Sequence, residues 1–150
     1  MSKRADFADY ERATFATANR VLAVVRPRDR GEVQACMRVA QEWRVPVYPV
    51  SGGKNWGLGS RVPSKDGCAI LDLGRLNRIL DFNEELSYMT VQPGVSFAQV
   101  SEYLRVRGSQ HYLCVTGGPP EGSLIGNALE RGDGLGPYGE RSLHCCAFEV

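Results

Sequence analysis

The sequence predicts an α+β fold built of two small α/β subdomains. Three observations carry that expectation. Strand, helix and strand patterns follow one another between residues 21 and 50, and a hairpin pattern occupies residues 79–92. The chain beyond is divided by glycine-rich turns instead of continuing the strand–helix alternation that one doubly wound sheet requires.

The segment VLAVVRP, from Val21, has the apolar, β-branched composition of a strand and is closed by Pro27. Asp29 with Glu32 three residues later is the Asp form of a capping box and starts a helix. Val33, Cys36, Met37, Ala40 and Trp43 recur at helical spacing and are expected to form its core face. Pro46 introduces VPVYPV, a second strand, and GCAILDL (67–73) reads as a third, buried one. ILDF (79–82) and LSYMTVQ (86–92) pair as a hairpin about Asn83-Glu84-Glu85, and Pro93-Gly94 ends it. Ser96 and Gln99 form a second capping box, for a helix running to about Arg107 with Gly108 beyond its end. HYLCVTG (111–117) is a further apolar stretch, and Ser123 caps a short helix to about Arg131.

The totals narrow the function classes. A chain of 150 residues can bury a core of its own. Its 18 basic and 17 acidic residues leave a formal charge of +1, so no basic surplus recruits nucleic acid. No apolar run is long enough to cross a bilayer, and the charged start MSKRADFADYERATFA lacks a signal-peptide core, which together give a cytoplasmic expectation. The five cysteines show no C-x-x-C spacing, and the adjacent Cys145 and Cys146 are expected to be small buried thiols, with a vicinal disulfide or a reactive thiol as the alternative. His111 and His144 have no neighbour at metal-ligand spacing, so no metal site is expected. His144 beside Cys145 is not read as a nucleophile pair, because adjacent strand residues face opposite ways.

The informative stretch is PVSGGKNWGLGS (49–60). It fits neither the dinucleotide fingerprint G-x-G-x-x-G nor the P-loop, since Gly57 is followed by Leu58. Successive glycine amides can nonetheless converge on an anion, with Ser51 and Asn55 as additional donors; the alternative is a plain surface turn. GSLIGNALERG (122–132) offers a second candidate, in which the first helical amides point outward and Asn127 lies one turn in; the alternative is a capped helix between turns. A diphosphate held between the two elements would make one coherent site, suited to a flavin or nicotinamide dinucleotide. In the third glycine loop, GDGLGPYG (132–139), and just after it, Asp133 and Glu140 read as solvated turn residues, and Tyr138 as packing near a cofactor or as a buried plug.

VVRPRDRGEVQACMRVAQEWRVPVYPVSGGKNWGLGS, VQPGVSFAQVSEYL and GSLIGNALERGDGLGPYGE, in that order, resemble the PCMH-type FAD-binding domain of the vanillyl-alcohol oxidase / p-cresol methylhydroxylase flavoproteins. The likeness runs from about Val21 to Val150. It implies a lead segment over 1–20 and a partial domain over 21–150, divided near residue 78 and ending before a cap domain. It implies an extended FAD with Ser51, Gly52, Gly53, Lys54, Asn55, Gly57 and Gly59 about the pyrophosphate. Pro93 and Gly94 would lie near the adenine end, and Ser123, Gly126, Asn127, Glu130 and Gly132 along the rest of the channel.

The implied activity is hydride transfer from a small organic substrate, of the aromatic-alcohol type, to the flavin. The alternatives are a non-redox binding module or one half of a split enzyme completed by a second chain or a second copy. Lys54 stands where many relatives carry a flavin-linked histidine, so FAD is expected to be non-covalent within this chain. Leu58 and Leu135 replace tyrosines of phenol-oxidising relatives, which argues against a phenolic substrate. No residue is assigned as catalytic acid or base.

Overall fold

The computed structural model describes residues 4–13, 15–54, 61–114, 116–137 and 139–150. Two separate sheets organise it. The first contains β1 (Val21–Val25), β2 (Val47–Val50) and β3 (Cys68–Asp72), all parallel, in the order β1-β3-β2. The centre goes to β3, the strand read as buried, whose Cys68, Ile70 and Leu71 are buried. Pro49 is tolerated because β2 is an edge strand and needs no inward amide there. Parallel strands leave the sheet at one edge, so Arg26, Ser51 and Leu73, the residues after β1, β2 and β3, emerge on the same side. That edge is where open parallel sheets place ligands.

Helix α1 (Arg30–Glu42) starts at Asp29, whose side chain accepts from the Glu32 amide. The reciprocal half of the box is displaced by one residue, because Glu32 accepts from the Arg28 amide at 2.7 Å. The expected core face is not buried. Val33, Cys36 and Ala40 are half-buried, Met37 is exposed and Trp43 is 72% exposed. The core of this sheet is instead closed by Tyr10, from the 3-10 segment Arg4–Tyr10, packed with Val21, Val50 and Ile70. The helical period marked an apolar stripe, but none of its described residues is buried.

The second sheet is the antiparallel hairpin β4 (Ile79–Asn83) and β5 (Tyr88–Val91), with Ile79 opposite Val91 and Asn83 opposite Tyr88. Helix α2 (Phe97–Val106) has a complete capping box, with Ser96 Oγ accepting from the Gln99 amide at 3.2 Å and Gln99 Oε1 accepting from the Ser96 amide at 3.0 Å. Gly108 follows at φ +66°, the left-handed conformation that ends a helix most readily as glycine. Val95, Val100 and Leu104 form the second core, against Ile79, Phe82, Met89 and Val91 of the hairpin. The stretch 111–114 forms no strand. Helix α3 (Leu124–Leu129) is short, and a 3-10 turn, Arg141–His144, follows the third glycine loop.

That turn corrects two expectations. His144 and Cys145 do not lie on a strand, and the cysteine pair is not buried: Cys145 is half-buried, Cys146 is exposed and both are free. Burial still raises the Cys145 thiol above its ordinary value, with Cys146 adding to it. None of the described helices is long and apolar enough to cross a membrane.

Candidate FAD-binding site

Four turns meet at the carboxyl edge of the first sheet. The loop after β2 brings Ser51 and Gly52 against the start of α3, where a Cβ on Gly52 would stand 3.0 Å from the Ser123 amide nitrogen and 3.4 Å from the Glu121 carbonyl. A Cβ on Gly126 would stand 2.7 Å from Ser51 Oγ. The turn after β3 joins them through Gly74, whose Cβ position is 3.4 Å from the Ser51 carbonyl. Pro93 completes the ring by accepting from Ser123 Oγ at 2.6 Å. The described start of the glycine loop and the α3 segment, separate in sequence, thus lie side by side.

The division of labour within it differs from the expectation. The first amides of α3 do not all point outward: Leu124 donates to the Val95 carbonyl at 3.0 Å and Gly126 donates to Ser123 Oγ at 2.9 Å. The amides of Ser51, Gly52, Gly53 and Lys54, in contrast, donate to no described residue. Gly53 adopts φ +62°, which glycine tolerates at no cost, and its vacant Cβ position is filled by the Arg61 side chain. Amides with no described acceptor, a second loop packed too closely for side chains, and flanking arginines form a cradle whose chemistry fits a diphosphate.

Not every site glycine is bare for a ligand. A Cβ on Gly94 would meet the carbonyl oxygens of Gly74, Leu73 and Leu76 at 2.8–2.9 Å, so protein packing alone excludes a side chain there. A Cβ on Gly132 would collide with the Asn127 side chain, which lies across it. Glu130 is exposed at the C-cap of α3 and raises the pKa of Tyr48, after the larger effect of Tyr48's own burial. Lys54 is exposed. Asn55, Gly57, Gly59, Leu58 and Tyr138 lie outside the described residues. Asp133 and Glu140 are exposed and face one another across an isolated bridge.

Three features escaped the sequence. Tyr10 donates to Asp72 Oδ2, while Arg26 Nη2 donates to the Tyr10 hydroxyl at 3.1 Å and Arg26 Nε to Asp72 at 3.3 Å. The Arg61 guanidinium lies over the Tyr10 ring at 5.3 Å. Burial holds the Tyr10 hydroxyl above its ordinary pKa, reinforced by Asp72. Arg141 is 2% exposed, and its Nη2 is buried without a described hydrogen-bond partner. On the hairpin, Ser87 Oγ lies 2.7 Å from His111 Nε2, and His111 Nδ1 lies 3.2 Å from Glu84. Ser87 and Glu84 are exposed, and the trio fastens the segment after α2 to the hairpin turn. Among the described residues no cluster could hold a metal ion.

Residues 21–150 match the FAD binding domain family. The chain belongs to that family. Its cofactor is FAD, and its fold is the PCMH-type domain that the motifs resemble. It is 54% identical over 140 residues to 1'-carboxy-chondrochloren decarboxylase of Chondromyces crocatus, covering 93% of this chain and 26% of that protein. It is 34% identical over 119 residues to the 4-cresol dehydrogenase [hydroxylating] flavoprotein subunit of Pseudomonas putida, covering 79% and 23%.

Among solved structures, p-cresol methylhydroxylase with substrate bound superposes with a TM-score of 0.87 at 28% identity, covering 94% of this chain and 28% of that one. The 4-ethylphenol oxidase of Gulosibacter chungangensis, as its isoeugenol complex, gives 0.86 at 32%, covering 93% and 27%. The FAD-binding domain described here spans about a quarter of the length of these curated relatives.

Proposed function

We propose that this chain is the FAD-binding part of a flavin-dependent oxidoreductase that oxidises a small organic substrate of the aromatic-alcohol type. When bound, FAD supplies the redox chemistry by accepting a hydride from the substrate carbon. The single observation that carries the reading is the cradle: amides of Ser51–Lys54 with no described acceptor, closed by Ser123 and Gly126. Those amides hold the diphosphate, and Gly52 allows the close approach that a side chain would block. Arg26 and Arg61 add positive potential at the same edge.

Lys54 supports a cofactor not bonded to this loop, because a lysine there replaces the histidine through which many relatives link the flavin. The division near residue 78, with one sheet on each side, belongs to the same proposal, as does completion of the substrate pocket by further polypeptide. The 54% identity to a protein named as a decarboxylase favours a second reading of the substrate, as a compound bearing a carboxylate.

Anaerobic mixing of the FAD-loaded protein with benzylic alcohols, 4-alkylphenols and their carboxylated forms tests the proposal. We expect flavin absorbance near 450 nm (a general flavin property) to bleach with an alcohol or a carboxylated substrate, and to bleach more slowly with a simple phenol. A loaded protein that none of them bleaches contradicts the oxidoreductase reading and leaves a binding module.

A further inference from the structure

Arg141 is a buried cation in an unusual state. Its position is fixed at three points: its amide donates to the Gly132 carbonyl at 2.8 Å, Nε donates to Asn127 Oδ1 at 3.2 Å, and Cζ lies 5.1 Å over the Phe97 ring. Of the two terminal nitrogens, Nη2 is buried with no described hydrogen-bond partner, and none of the ion pairs among the described residues involves Arg141. A guanidinium does not shed its proton in a protein, so burial cannot be relieved by neutralisation. A fold that desolvates such a group and leaves Nη2 unused carries a cost that a bound anion would offset.

The surroundings fit such an anion. Asn127, which orients the guanidinium, stands on α3, the helix whose Ser123 and Gly126 close the FAD cradle. Nη2 lies 3.3 Å from the point a Cβ would occupy at Gly134, in the third glycine loop, where Cys114 Sγ at 2.8 Å and the Gly139 carbonyl at 3.2 Å also converge, so the nitrogen is held against that loop. A planar fork held in place is suited to carboxylate and phosphate oxygens.

We propose that Arg141 is an oxyanion-binding residue, with Nη2 donating to an oxygen of an anionic ligand group in the holoprotein. The group is either the diphosphate of the cofactor or a carboxylate of the substrate. The inference rests on the FAD reading of this domain and adds to it a residue outside the glycine loops.

The test compares the wild-type protein with Arg141→Met and Arg141→Lys. Dissociation constants are measured by calorimetry for FAD and inorganic pyrophosphate with the apo protein, and for benzoate with the FAD-loaded protein. Apo melting temperatures are recorded alongside. A ligand role predicts that Arg141→Met melts at or above the wild-type temperature, because it removes an uncompensated buried charge. It also predicts that Arg141→Met binds one class of anion roughly ten- to a hundred-fold more weakly, the loss expected for one charged hydrogen bond. Weaker FAD and pyrophosphate binding identifies the diphosphate, and weaker benzoate binding alone identifies the carboxylate.

A lower melting temperature with all three affinities unchanged overturns the proposal and makes Arg141 a structural residue. If Arg141→Met does not fold, Arg141→Lys decides: it keeps the charge but loses the fork, and unchanged affinities again overturn the proposal. A wild-type protein that binds no FAD defeats the cofactor reading separately. Pyrophosphate and benzoate are then compared on the apo proteins, and failure to bind either defeats this inference as well.

Discussion

Gly52 and Gly94 are both bare, for different reasons, and they should respond differently to the same substitution. At Gly94 three carbonyl oxygens stand within 2.9 Å of a new Cβ, and none can move without opening the turn Leu73–Leu76. Gly94→Ala should therefore lower stability by about 1–3 kcal/mol in urea denaturation, as overpacking does elsewhere. At Gly52 the tightest contact is 3.0 Å, to the Ser123 amide, so a small shift of the loop relieves it. That shift moves the amides that have no described acceptor. Gly52→Ala should cost little stability and weaken FAD binding by roughly tenfold, the loss of about one hydrogen bond, measured by flavin fluorescence titration.

Tyr10 gives a pH prediction. Its phenol pKa is raised in the folded state, mainly by burial, so the unfolded chain ionises first as pH increases. The stability contributed by the neutral phenol is complete below about pH 10 and is lost as pH rises through the raised folded value. Thermal melts of the wild type should fall more steeply above pH 10 than those of Tyr10→Phe; parallel curves would remove Tyr10 from the account. Neither Tyr10 nor Arg141 could be recognised in the sequence. Tyr10 sits in a charged segment with no periodicity, and Arg141 is one arginine among turn residues, with its burial set by contacts to Asn127 and Phe97 far from it in the chain.

At the scale of elements, two serine caps that look alike in sequence do different work. Ser96 caps α2 in a closed box, and its loss should cost about 1 kcal/mol of stability and leave FAD binding unchanged. Ser123 both caps Gly126 and donates to the Pro93 carbonyl, tying α3 to the turn after the hairpin. Ser123→Ala should cost about 1–2 kcal/mol and also weaken FAD binding, because it loosens one wall of the cradle. Denaturation and flavin titration of the two variants side by side would separate the roles.

The elements themselves were readable because their signals are local. The Asp29 and Ser96 caps, the β-branched run of β1 and the Asn83–Glu85 turn each sit within a few residues. Which face was buried was not local. The stripe on α1 stays partly exposed while Tyr10 packs on the sheet core, and no window around Val33 reports on either.

For the whole molecule, the parallel sheet does the positioning. Three strands leaving at one edge bring Arg26, Ser51 and Gly74 together, and the hairpin unit delivers Pro93 and Ser123 to the same place. The glycine run 52–59 and the segment 122–132 were both read as candidate anion sites from composition, and the meeting of Ser51 and Gly52 with Ser123 and Gly126 emerges from topology. Which amides remain available was not legible, since the bonds of Leu124 and Gly126 depend on contacts with Val95 and Ser123 in the folded chain.

The central claim is that this cradle holds FAD without a covalent bond. The most direct test is the visible absorption spectrum of the purified protein, recorded before and after denaturation and removal of the precipitate. A non-covalent site gives flavin absorbance that passes into the supernatant, or that appears once FAD is added to a colourless preparation. Flavin retained in the precipitate would contradict the non-covalent site, and a colourless protein that takes up no added FAD would contradict the site itself.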